Sequence, residues 1–521
     1  MVMTQIRKYF GLSLLLIVFF SYNSVYAQQQ NNITVNADQG SVKISKYIYG
    51  QFAEDLGNGL YGGIWVGKNS KIPNIDGMRK DVIDALKKLD VPDVRWPGGC
   101  FADRYNWRDG IGPEKDRPKR VNMWGQVTDS NQFGTNEFLE FCKLIGAQPY
   151  MAGNVGSGSV RELKDWVTYL TYPGDSKLAN LRRKDGHPKP YHIKFFGVGN
   201  ESWGCGGQMT PEHYANVYRR YSEFLPNYGG NHIFKIASGP NGADYHWTKV
   251  MMKDVGYRMN GLSLHYYTIA GPSWRHKGPS TNFSENLYFD GLQKAMKMNE
   301  IIQRNSTIMD EYDPQKRIAL VVDEWGIWTD PLPGSHPGFL RQQNSLRDAL
   351  IASTTLDIFN KHAARVRMAN IAQMVNVLQS MVMTKGKEMY LTPTYYVFEM
   401  YKKHMGATYL PLHLNVENYT YDGNSIPSIT ATASQDSTGN IHLTISNLDP
   451  NKNQKVKIDF RGVSVRHVSN GMVLTAKSFD AVNTFDKPNT VKPETFKDAK
   501  LDGNTLIINM PSKSLVSIDL N

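Results

Sequence analysis

Apolar residues recur along this chain with two different periods. From about residue 50 to 400 the spacing is largely helical. Val82, Ile83, Leu86 and Leu89 share one face of DVIDALKKL, and Glu137–Ile145, Arg161–Leu170, Pro211–Phe224 and Arg347–Phe359 repeat the pattern. Pro211 stands near the start of its helix, where a missing N–H does no harm. Short apolar runs lie between the helices and read as strands: VPDVRW, QPYMAGN, YHIKFFGVG (191–199), KIASG, GLSLHYY and IALVVDEW, with RMANIAQMVN after the last helix. Strands alternating with helices predict an α/β fold on a parallel sheet, and eight such units over this length fit a (β/α)8 TIM barrel. A doubly wound sheet is the alternative, but the Gly-rich phosphate loop it would carry is missing.

Beyond about residue 405 the period falls to two. Ile441, Leu443 and Ile445 alternate, as do Val456, Ile458 and Phe460, then Leu506, Ile508 and Met510, then Val516, Ile518 and Leu520. Turn residues separate them at Thr438-Gly439-Asn440, Asn470-Gly471 and Asp502-Gly503. This predicts an all-β sandwich, jelly-roll-like. Ile33 and Val35, then Val42 and Ile44, mark short extended pieces near the N-terminus that would join it. The expected organisation is a leader over 1–27, strand residues of the sandwich over 28–48, the barrel over 49–404 and the C-terminal sandwich over 405–521.

The chain has 521 residues, 40% hydrophobic and 21% charged, an ordinary soluble composition. Its net charge of +11 is scattered rather than gathered into a stripe, so no nucleic-acid partner is expected. At the N-terminus, Arg7 and Lys8 precede an uncharged run from Tyr9 to Phe20, and Val25-Tyr26-Ala27 precede Gln28. That is the layout of a secretory signal, and the run is short of the roughly 20 residues of a comfortable span. Export to the periplasm or beyond is the expectation, with no membrane attachment after cleavage; an uncleaved anchor is the alternative. Cys100, Cys142 and Cys205 are the three cysteines. No CxxC, HExxH or clustered His/Cys spacing occurs, and no phosphate loop, so no metal or other cofactor is expected.

Chemistry in such a barrel gathers where strands end at the C-terminal face. The polar residues there are Asn200-Glu201, Asp323-Glu324, His265-Tyr266-Tyr267, Arg95 beside Trp96, and Glu54. A lone glutamate at a strand end is ordinarily an ion-pair partner. Glu201 and Glu324 form a more informative pair, because each is followed closely by a tryptophan, Trp203 and Trp325. Two carboxylates in one cup can divide the roles of acid and nucleophile that glycoside hydrolysis needs. Aromatic rings suit the apolar face of a sugar.

These motifs resemble those of the retaining barrel glycosidases, and most closely glycoside hydrolase family 51, the α-L-arabinofuranosidases. The similarity runs in order through GQFAEDLGNGLYGGIW (50–65), VRWPGGCFADRYNWRDGIGP (94–113), GNESWGCGG (199–207), SLHYYT (263–268), DEWGIW (323–328) and RVRMANIAQMVNVLQSM (365–381). The resemblance implies a barrel with a β-sandwich, and an exo-acting, retaining enzyme that releases terminal arabinofuranose from arabinose-containing oligosaccharides or polysaccharides. It implies Glu201 as acid/base, Glu324 as nucleophile, and Asn200 on the sugar's 2-hydroxyl. Glu54 and Gln373 would contact the sugar, Arg95 would keep the nucleophile ionised, and Tyr267 (or Tyr266) would bond to it with His265 in support. Trp328 would line the site. The resemblance departs at Cys100, where many members carry Asn, leaving the contact made there open. Free thiols are expected at Cys100 and Cys205, with a bridge between them as the alternative. A homo-oligomer, in the family often a hexamer, is implied.

Blander roles stand beside these. Arg95 could serve a structural ion pair, His265 a packed hydrogen bond, Glu54 a solvated loop and Gln373 the barrel interior. Trp65, Trp96, Trp203, Trp325 and Trp328 divide evenly between core and sugar platform. Two rival functions are a xylosidase or endo-glucanase using the same two glutamates, and a non-catalytic glycan-binding protein.

Overall fold

The computed structural model describes residues 31–521, so the leader expected over 1–27 lies outside the described residues. The first strand, β1 (Asn31–Asn36), belongs to the C-terminal sandwich. The chain then builds a closed barrel of eight parallel strands, β2 (Gly50–Phe52), β3 (Asp93–Trp96), β4 (Gln148–Gly153), β5 (Phe195–Val198), β6 (Phe234–Ala237), β7 (Gly261–Thr268), β8 (Ala319–Ile327) and β9 (Val366–Ala372), with β9 closing on β2. Each strand lies beside its successor in the chain, as short right-handed crossovers require. The strand expected over 191–199 begins only at Phe195. Before it, Tyr191 N–H donates to Leu170 O and Ile193 N–H to Asn231 Oδ1, outside any ladder.

The barrel interior changes character along its axis. Tyr150, Phe195, Ile236, Val321 and Met368 form a small apolar cluster from the early parts of their strands. Arg95, His265, Asp323 and Glu324 come from the later parts and are buried above it. The apolar layer supplies rigidity, and the strand ends carry the polar groups.

After the barrel come β10 (Leu412–Asn415), β11 (Ile429–Gln435), β12 (Ile441–Asn447), β13 (Gln454–Arg461), β14 (Val468–Leu474), β15 (Ala499–Asp502), β16 (Thr505–Met510) and β17 (Ser514–Leu520). One sheet runs β10-β1-β13-β16-β15; the other places β11, β12, β17 and β14 between two short edge strands. Inward residues of both sheets, among them Ile33, Val35, Leu443, Ile458, Ile508 and Ile518, share one core. β1 is central to its sheet, with Ile33 opposite Ile458 on one side and Leu414 on the other.

The sandwich also covers the barrel. The helix Leu346–Lys361 is buried over nearly its whole length, and β12 is buried on both faces. Ser353 Oγ meets Ser446 Oγ at 2.8 Å across this contact. Among the described residues, no helix is long and apolar enough to cross a membrane.

Because Ile33 is fully buried at the centre of a sheet, Ile33→Ala is expected to cost about 2–5 kcal/mol of stability. A shift in the denaturant midpoint checks this; an unchanged midpoint would mean β1 contributes no core.

Candidate active site

The mouth of the barrel owes its arrangement to a slip in β8. Val321 lies opposite Ser263 of β7, but Glu324 lies opposite His265, so three residues run against two. The β9 side shows a matching slip between Val322 and Trp325. Such a bulge breaks the alternation that would send neighbours to opposite faces. Asp323 and Glu324 therefore both reach the mouth. On β5 the chain leaves through Gly199, and Glu201 itself adopts the left-handed region with φ 38°. That conformation is uncommon for a residue with a Cβ and is held here by its surroundings.

Two cations organise the carboxylates. Arg95 donates from Nη1 to Glu324 Oε1 at 2.7 Å and from Nη2 to Asn200 Oδ1 at 2.6 Å, with Nε 3.6 Å from Asp323 Oδ2. His265 donates from Nδ1 to Glu201 Oε1 at 2.9 Å, and this nitrogen is 3.6 Å from Glu324 Oε2; its Nε2 is 3.3 Å from Asp323 Oδ1. Asp323 also accepts from Tyr150 Oη at 2.6 Å and from Ser263 Oγ. Tyr267 Oη donates to Glu324 Oε2 at 2.9 Å, whereas Tyr266 Oη turns to Lys294 O. One oxygen each of Glu201 and Glu324 lie within 4.8 Å of one another.

The titration follows from this geometry. Burial alone would lower His265, but Glu324, Asp323 and Glu201 lift it to about 10, so it is an imidazolium at neutral pH. Burial alone would raise Asp323, yet Arg95, His265 and Ser263 hold it below the usual carboxylate range. Burial raises Glu201, and the nearby Glu324 charge adds to it, against the His265 hydrogen bond. Arg95 and His265 thus face Asp323 and Glu324, while burial and the Glu324 charge push Glu201 toward its protonated form. Its side chain is also the more open of the pair, 16% exposed against 7% for Glu324. The group Glu201, His265 and Glu324 is compact enough to hold a cation. A cation there would have to displace the proton of the His265 imidazolium.

A second cluster forms beside the pair. Glu54 Oε1 accepts from Phe101 N–H and from Trp124 Nε1, both at 3.0 Å, and Oε2 accepts from Gln373 Nε2 at 3.2 Å. Burial, reinforced by Glu324, pushes Glu54 up to about 7. Gly99 permits this approach, since a Cβ there would sit 2.9 Å from Glu324 Oε1 and 3.3 Å from Glu54 Oε1. The structure therefore brings Glu54, Arg95, Asn200, Glu201, His265, Tyr267, Glu324 and Gln373 together.

The cysteines differ from expectation. Cys100 and Cys205 are joined by a disulfide with Cα atoms 5.5 Å apart, which corrects the reading of two free thiols; Cys142 is the free, buried one. The loops after β3 and β5 place the two sulfurs face to face, a proximity that a separation of 105 residues conceals. The sulfurs lie 3.8 and 3.4 Å from Glu201 Oε2. A disulfide has no proton to donate, so these contacts desolvate the carboxyl rather than stabilise its charge.

The tryptophans also sort themselves. Trp65, Trp96 and Trp325 are buried, with Trp96 stacked on Phe138 and Trp325 against Phe359 and Phe398. Trp203 is half-buried against the core. Trp328 stays at the mouth, edge-on to Tyr267 at 5.0 Å. Sequence reasoning passed over Trp124 and gave Asp323 and Tyr150 no role. Asp323 had a signal, its place at a strand end, whereas Trp124 sits in a loop with no periodic pattern.

Family models for the α-L-arabinofuranosidase 1 domain and the α-L-arabinofuranosidase C-terminal domain match residues 85–269 and 323–514. A Bacteroides ovatus protein described as an intracellular exo-α-L-arabinofuranosidase is 53% identical over 95% of this chain and 97% of its own. The crystal structure of a GH51 arabinofuranosidase from Xanthomonas axonopodis pv. citri superposes with TM-score 0.93 at 49% identity, covering 94% of this chain and 100% of that one. An α-L-arabinofuranosidase from Thermotoga maritima, solved as an arabinose complex, gives TM-score 0.83 at 29% identity over 94% and 99%. The Bacteroides relative is named intracellular, which overturns the expectation of export.

Folding raises His265 to about 10 from an ordinary 6.5. Its contribution to stability is therefore full below pH 6.5 and is lost as pH climbs through 10. Asp323→Asn removes one of the charges responsible. The His265 ring titration, followed by NMR, is expected to move down toward 6.5, with a stability loss of about 3 kcal/mol at neutral pH. An unmoved titration would contradict the charge balance.

Proposed function

The chain belongs to glycoside hydrolase family 51 and is an exo-acting α-L-arabinofuranosidase, and we propose that it works by a retaining double displacement shared between Glu324 and Glu201. Its substrates on this reading are arabinose-containing plant oligosaccharides and polysaccharides. Glu324, held by the Arg95 guanidinium, attacks C1 of a terminal arabinofuranose. Glu201 gives its proton to the glycosidic oxygen as the C1–O bond breaks, and the sugar is left as an ester on Glu324. Glu201, now a carboxylate, takes a proton from the entering water, whose oxygen attacks C1 and frees Glu324.

The observation that carries this reading is that one oxygen of Glu201 and one of Glu324 lie within 4.8 Å of each other. Retaining glycosidases hold their two carboxyl groups about 5–5.5 Å apart, whereas inverting ones leave about 6.5–9.5 Å for a water. Asn200, fixed through its carbonyl oxygen by Arg95, is left with its amide to donate to the 2-hydroxyl. Glu54 and Gln373, tied to each other, take outer hydroxyls, and Tyr267 steadies the nucleophile. The same reading carries assembly into a homo-oligomer, checked by sedimentation.

Glu324→Ala is expected to abolish turnover of 4-nitrophenyl α-L-arabinofuranoside while leaving the circular dichroism spectrum unchanged. Across a panel of aryl glycosides, only the α-L-arabinofuranoside should be turned over well; a better xyloside or glucoside would refute the substrate assignment. Glu201→Ala should slow substrates with poor leaving groups by about 10²–10⁴-fold and activated aryl substrates far less. Equal losses on both would remove Glu201 from the acid role. Activity on poor leaving groups should fall on the alkaline side, as pH rises through the raised Glu201 value and the proton is lost.

A further inference from the structure

One wall of the mouth carries chemistry that holding the arabinose does not use. The loop after β7, Pro272 to Lys277, stands at the rim, and Trp274 in it is 54% exposed. Its indole meets Trp328 edge-on at 5.5 Å, and Trp328 meets Tyr267, whose hydroxyl binds the nucleophile. Three rings thus lead from Glu324 outward to an open indole. Trp274 also lines a cleft of about 500 Å³ between this loop and the helix Glu285–Tyr312, which contributes Lys294, Lys297 and Arg304. Spacings of three and seven put these cations on one helix face. Glu300 is the acidic residue lining the cleft, and it is paired with Arg304 at 3.1 Å.

Lys294 is occupied by the carbonyls of Ala270 and Gly271. Lys277 lies with its ammonium 5.7 Å from the Trp328 ring centre. Arg275, Lys277 and Lys297 have no ion-pair partner among the described residues. A large open indole with cations left unpaired beside it fits a ligand that is flat and apolar on one face and anionic at its edge. The wall runs outward from the nucleophile through Tyr267 and Trp328, and an exo-acting enzyme whose pocket takes the terminal arabinose leaves the leaving group to the rim outside it.

We infer that this wall is a leaving-group subsite for an acidic glycan, a pyranose ring stacking on Trp274 while a uronate carboxylate pairs with the cations of the loop and helix. The inference rests on the arabinofuranosidase reading and adds the class of aglycone to it.

The test compares one arabinosylated oligosaccharide carrying a uronate in its leaving group with the same compound after carboxyl reduction. At low ionic strength the wild-type KM should be about two- to five-fold lower for the acidic compound, as exposed ion pairs allow. The advantage should vanish at high salt and in an Arg275→Glu/Lys297→Glu double variant, each ratio normalised to the neutral compound in the same protein. Trp274→Ala should raise KM for both compounds about five-fold. Equal KM values in the wild type, a preference that survives salt and charge reversal, or no effect of Trp274→Ala would overturn the inference. Wild-type turnover of 4-nitrophenyl α-L-arabinofuranoside is measured alongside. Its failure would reject the arabinofuranosidase reading itself, whereas its success with equal KM values rejects the subsite alone.

Discussion

Four carboxyl groups, those of Glu54, Glu201, Asp323 and Glu324, share the mouth of this barrel around two buried cations. Arg95 and His265 match Asp323 and Glu324 in charge, and a third ionised carboxylate would leave the cup with an excess. Glu201 and Glu54 are the two pushed toward the protonated form, each by burial and by the Glu324 charge. Glu201 and Glu324 are thereby set apart by surroundings rather than by residue type. The constraint is specific about its donors. Arg95 reaches Glu324 and Asn200 with two nitrogens of one planar fork and lies near Asp323 with a third; a lysine at the same place could not serve all three directions.

The rest of the fold keeps those few groups in place. The apolar layer beneath fills the barrel and excludes water from the lower side of Arg95, which also lies over the Phe52 ring. The slip in β8 is the local device that lets adjacent Asp323 and Glu324 both face the mouth. Gly99 lets the chain after β3 pass between Glu54 and Glu324, and the Cys100–Cys205 bridge ties that same loop to the one bearing Glu201. The sandwich contributes none of the named site residues. It covers the helix Leu346–Lys361 and so protects the barrel half that carries β8 and β9.

Much of this was legible in the pattern of residues, because alternating strands and helices, the shift to period two, and polar residues at strand ends are local signals. Ile33, Leu443, Ile458 and Ile518 fell on the core face that their spacing implied. What escaped notice depends on register and on contacts between distant loops. Trp325 adjoins Glu324 and its sequence position fits core and sugar platform equally; it packs into the core against Phe359. Asp323 is marked in the sequence only by its place at a strand end, and the bulge sets it beside Glu324 at the mouth. Trp124 and the disulfide partners meet their neighbours only through loop geometry, for which no periodicity exists. The leader-like N-terminus followed the residue pattern of exported proteins, but the Bacteroides relative is named intracellular.

The separation of Glu201 from Glu324 bears on a single stereochemical outcome. Proton NMR of the sugar first released from an α-L-arabinofuranoside, recorded before mutarotation, reads it directly. Release of the α anomer is the result expected from two carboxyl groups this close, with the nucleophile held by Arg95. Initial release of the β anomer would mean that water attacks without an intermediate on Glu324, and the division of roles between the two glutamates would be wrong.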